Sequence, residues 1–135
     1  MAIQGVVRLK ILAWLAALLG MSVYAVASAA DVQKQSEQAV VIHFHYGSRD
    51  LTKLFELENK LEAVVAKARV GEYDGHEVAI DGSDGFLYLY GPDADKLFQV
   101  IRPTLEKASF IRGAEVVKRY GPAGAGTQQV VLSIQ

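Results

Sequence analysis

The sequence predicts an α+β domain: an antiparallel sheet with two helices on one of its faces. Three observations carry this. Short β-branched and aromatic runs recur at 39–46, 76–90 and 113–134. Two longer stretches between them, 48–70 and 94–109, repeat apolar residues at three and four. Glycine, proline and aspartate separate the runs. Periods near two and near 3.6 separate strands from amphipathic helices, and strands that share their apolar faces with helices imply a two-layer core.

Residues 1–29 precede that domain and read as a signal peptide. Arg8 and Lys10 form a short basic region, residues 11–30 carry no charge, and Ala27-Ser28-Ala29 offers small residues where a signal peptidase cuts. The alternative is an uncleaved inner-membrane anchor with the domain outside, because twenty uncharged residues can span a bilayer. Both readings export the domain, to the periplasm or beyond, and only the second brings it to a membrane. Residues 30–38 are a polar spacer, and 39–135 are the folded domain.

Charge and composition exclude several functions. Removing Arg8 and Lys10 leaves 12 basic against 15 acidic side chains, a net of −3. A nucleic-acid surface needs the opposite sign. The chain has no cysteine, which removes disulfides, thiolate metal sites and cysteine nucleophiles. Beyond residue 30 there is no Met or Trp either, which suits an oxidising compartment.

Ala39–Tyr46 is the first strand, with Val40, Ile42, Phe44 and Tyr46 toward the core and Val41, His43 and His45 on the other face. Ser48–Val70 is a helix with Leu51, Leu54, Phe55, Leu61, Val64, Val65 and Ala68 inward, capped by Ser48 or Asp50 and stopped by Gly71. Glu56 and Lys60 are spaced for an i,i+4 pair. His76–Asp81 is the second strand, with His76, Val78 and Ile80 facing the helices. Gly82–Gly85 is the turn, and Phe86–Tyr90 returns with Leu87 and Leu89 inward and Phe86, Tyr88 and Tyr90 outward. Asp93 caps a second helix running to about Ser109, in which Pro103 predicts a kink or break near Arg102. Gly113–Tyr120 and Gln128–Ile134 form a terminal hairpin around the glycine-rich 121–126.

The resulting order, β-α-β-β-α-β-β, resembles the ferredoxin-like βαββαβ sandwich with an extra C-terminal strand, which implies the spatial order 5-4-1-3-2. The stretch 54–120 also resembles a group of small uncharacterised bacterial proteins. They share a GEYDGHE-like turn, an aromatic strand, a GPDAD cap and a closing RYGP, here Gly71–Glu77, Leu87–Tyr90, Gly91–Asp95 and Arg119–Pro122. That resemblance implies fold and extent and carries no activity.

The candidate binding residues are His43, His45, Phe86, Tyr88 and Tyr90. They fall on the sheet face away from the helices, on the two central strands. Aromatic, partly apolar surface is what protein interfaces use, so the expected partner is a protein or a second copy, met through this face or a sheet edge. His43 and His45 are also candidate metal ligands, since HxH is a metal-binding spacing, but a third ligand is needed. Parity turns His76 away from them. The acids around Asp81 fail the calcium-loop pattern, because Pro92 stands where a bidentate Glu is required. No cofactor is implied. An enzyme reading rests on Arg49 beside a helix start, in the manner of an acylphosphatase-like hydrolase. The chain's one asparagine, Asn59, lies inside the first helix, and no phosphate loop is present.

Overall fold

The computed structural model describes residues 37–135. The proposed signal or anchor at 1–29 lies outside them, as does most of the spacer. Among the described residues no helix is long and apolar enough to cross a membrane.

Five strands and two helices follow in the order β1 (Gln38–Phe44), α1 (Thr52–Ala68), β2 (Glu72–Val78), β3 (Gly85–Gly91), α2 (Ala94–Glu106), a short 3₁₀ turn (Ser109–Ile111), β4 (Glu115–Arg119) and β5 (Gln129–Ser133). The strands make one sheet in the order β2-β3-β1-β4-β5. Every neighbouring pair is antiparallel.

Alternation fixes which face is buried. Val40, Ile42 and Phe44 of β1, Leu87 and Leu89 of β3 and Val116 of β4 join one core with Leu54, Leu57, Leu61 and Val65 of α1 and Leu97, Phe98, Ile101 and Leu105 of α2. Most of these side chains are fully excluded from solvent. Each contributes roughly 1.5–3 kcal/mol relative to an exposed position, so register is held wherever this face is packed.

Several local expectations are corrected. The second strand begins at Glu72 and ends at Val78, not at 76–81. Its first half is hidden in the sequence by a β-bulge between Tyr73 and Gly75. Asp81 therefore belongs to the turn, where its carboxylate accepts the Ser83 amide at 3.0 Å, and Ile80 is fully exposed rather than inward. Helix α2 runs unbroken through Pro103. Proline there removes one bond only three residues before the helix ends, and Ile101 and Leu105, both wholly buried, hold the segment on the core. In α1, Leu57 is buried and Phe55 is half exposed. Helix α1 starts at Thr52, whose amide donates to Asp50 at 3.0 Å. It ends with Arg69 in the left-handed conformation, φ 55°, two residues ahead of the anticipated Gly71. Glu56 and Lys60 form no ion pair among the described residues.

The C-terminal hairpin extends the sheet through β4 and β5 and does not fold back over it.

Candidate functional site

The face opposite the core carries every candidate binding residue. Cross-strand register arranges it in rows. One row runs Glu77, Phe86, His43, Glu115, Ser133, and the next runs Gly75, Tyr88, Val41, Val117, Val131. Residues directly opposite in adjacent strands lie close enough for side-chain contact. The His43 ring stacks on Phe86 with centroids 4.5 Å apart and planes 13° from parallel. Phe86 in turn lies 6.2 Å from Tyr88. The Tyr88 hydroxyl donates to Glu77 Oε2 at 3.2 Å. Partial burial and that carboxylate raise the phenol's pKa above its ordinary value. Tyr90, opposite Ala39 and Glu72, continues the aromatic column along β3.

His45 lies just beyond the end of β1, its ring 5.4 Å from that of His43 in an edge-on arrangement. What joins the two imidazoles is Asp84, a residue the sequence reading placed only in a turn. Its Oδ1 is 2.6 Å from His43 Nε2 and 3.4 Å from His45 Nδ1. The turn delivers Asp84 because it docks on the loop after β1: Tyr46 and Gly47 donate their amides to the carbonyls of Ser83 and Gly82, at 3.3 and 2.7 Å. Gly82 makes this approach possible. It has φ +75°, and a Cβ there would stand 1.9 Å from the Ser48 carbonyl oxygen. The only sequence signal for this contact was the pair of glycines in the turn, which says nothing about where the turn docks.

Asp84 hydrogen-bonds His43 directly, while His45 stands at ion-pair distance from the same oxygen. Among the described residues no group of three or more His, Asp or Glu side chains is placed to hold a metal ion.

His76 goes to the other side of the sheet. Its Nδ1 and the Tyr73 hydroxyl both bond Glu58 Oε1 on α1. The bulge explains the spacing. Tyr73 and His76 are three apart, which an unbroken strand would send to opposite faces; the extra residue, Asp74, puts both toward the helix. Burial first, then the Glu58 hydrogen bond, pushes the Tyr73 phenol far above its usual pKa. The GEYDGHE stretch is thus a clamp between β2 and α1. Arg49 is exposed in the loop after β1 and makes no ion pair among the described residues. Asn59 is exposed on α1. A groove of about 600 Å³ lies between the helices, with Leu57, Val64 and Phe110 in its lining and Lys53, Lys60 and Lys107 at its border. It is made by the helical layer, away from the histidine–aromatic rows.

Comparison with family models, with curated proteins and with solved structures returned no match.

Proposed function

We propose that this chain is a small exported interaction module that binds a protein through its histidine–aromatic sheet face. We infer further that its scaffold is a ferredoxin-like sandwich with an added C-terminal strand, in keeping with the strand order and with helices inserted after β1 and β3. The observation that carries the functional reading is the contrast between the two sheet faces. One is filled by helix side chains. The other presents Phe86, Tyr88, His43, Val41, Val117 and Val131 in adjoining rows, with Val131 59% exposed. Apolar and aromatic side chains with polar handles, ringed by Glu77, Glu115 and Arg119, have the core-and-rim composition of a protein interface. Asp84 adds order. By hydrogen-bonding His43 it presets a rotamer that binding would otherwise have to freeze.

The test is affinity capture from the export compartment with the purified protein as bait, run beside Tyr88→Ala. The reading expects a retained protein that is lost when Tyr88 is truncated. An identical retained set from both baits overturns it.

A further inference from the structure

The two edges of the sheet are built differently, and we propose that the β5 edge joins a second copy of this chain to make one continuous ten-stranded sheet. This does not depend on what the aromatic face binds.

An open strand edge is a row of unpaired amides and carbonyls, and proteins that must stay apart block it with charge, bulges or proline. The β2 edge is blocked in that way. It carries Glu72, Asp74 and Glu77 within seven residues and is kinked by the bulge at Tyr73/Gly75. The β5 edge has none of these devices. Residues 127–135, TQQVVLSIQ, contain no charge, proline or glycine. The β4–β5 register runs without interruption from Glu115↔Ser133 to Arg119↔Gln129. Val130 and Val131 are 39% and 59% exposed.

The strand is also complementary to itself. Ile134 exchanges both backbone bonds with the β4 side, its amide to Ala114 and its carbonyl from Gly113, and the Gln128 carbonyl accepts from Tyr120. In an antiparallel ladder these roles alternate. Gln129, Val131 and Ser133 therefore point their backbone groups outward. A two-fold axis perpendicular to the sheet at Val131 sets Val131 against Val131 of the second copy and Gln129 against Ser133 of the second copy. About six hydrogen bonds close. On the open face, valine meets valine and amide meets hydroxyl. On the helix side, Val130 meets Leu132 of the second copy, which lengthens both cores. The row through Ser133 then runs from Glu115 of one copy to Arg119 of the other, charges of opposite sign about 14 Å apart. No like charges are opposed. The Val41–Val117–Val131 rows of the two copies become one stripe, so dimerisation would double the proposed binding face.

The absence of cysteine allows a direct test. Protein purified from cells expressing the full chain is oxidised after introducing Val131→Cys or Gln129→Cys. Across the axis, the Cα atoms of the two residues 131 would be about 5.5 Å apart, within disulfide reach. Those of the two residues 129 would be about 14 Å apart. Val131→Cys should give a covalent dimer at least tenfold faster than Gln129→Cys. In parallel, sedimentation of the cysteine-free protein should show a concentration-dependent dimer. Val131→Lys, which sets a charge against itself on the axis, should shift it to monomer with its circular dichroism unchanged. Equal cross-linking at 131 and 129, a dimer that survives Val131→Lys, or a monomer at all concentrations with only a different protein bound at the edge would each overturn the proposal.

Discussion

The sheet holds a histidine–carboxylate contact on each face, and the two contacts do opposite things. On the packed face, His76 and Tyr73 of β2 converge on Glu58 of α1, whose side chain is only 14% exposed. On the open face, His43 and His45 converge on Asp84, with side-chain exposures of 33%, 85% and 41%. The chemistry is the same, and the solvent differs. A carboxylate largely withdrawn from solvent at the helix–sheet contact exchanges its partners for water less readily, so its bonds hold β2 to α1. One at the surface exchanges them readily, so its bonds orient two imidazoles at small cost and leave them free to meet something else.

Removing the part-buried carboxylate should therefore cost most. Glu58→Ala leaves the part-buried Tyr73 hydroxyl and His76 ring without their shared partner, and the expected loss is about 2–3 kcal/mol in denaturant unfolding. Gly82→Ala should cost about 2 kcal/mol, through positive-φ strain and the collision with Ser48. Unlike Glu58→Ala, it should also release Asp84 from the histidines, seen as altered His43 and His45 ring resonances. Tyr73→Phe should lose about 1 kcal/mol near neutrality. Its pH dependence gives a sharper reading. The folded-state pKa of Tyr73 is raised, so this group's stabilisation is full below its ordinary pKa of 10.0 and declines as pH rises beyond it. The gap between wild type and Tyr73→Phe should accordingly narrow above about pH 10. Smallest is Asp84→Ala, at less than about 1 kcal/mol. A cost for Asp84→Ala equal to that for Glu58→Ala would erase the distinction between the two faces.

How far the sequence revealed this depends on whether each feature is local. The sides taken by His43, His45 and His76 follow from two-residue alternation around Val40, Ile42, Phe44 and Val78, and alternation is local. So is the Asp93 cap, whose carboxylate accepts the Lys96 amide at 3.0 Å. The bulge at Asp74 was not legible, because an inserted residue looks like any other until its partner strand is known. Without it Tyr73 could not be placed beside His76. Asp84 was not legible for a related reason. Its contact with His43 spans 41 residues and depends on one turn docking against another loop. Pro103 misled because helix propensity gave way to the burial of Ile101 and Leu105 on either side. In each case the missing term was tertiary.

The central claim is that the open face, and not the helical side, is the working surface. Three baits for capture of a bound protein separate the two surfaces: wild type, Tyr88→Ala on the open face and Phe55→Ala on the helical side, where Phe55 is 47% exposed. A retained protein should fall by about tenfold or more with Tyr88→Ala, as loss of a central aromatic anchor implies, and be unchanged with Phe55→Ala. Retention lost with Phe55→Ala and kept with Tyr88→Ala would contradict it.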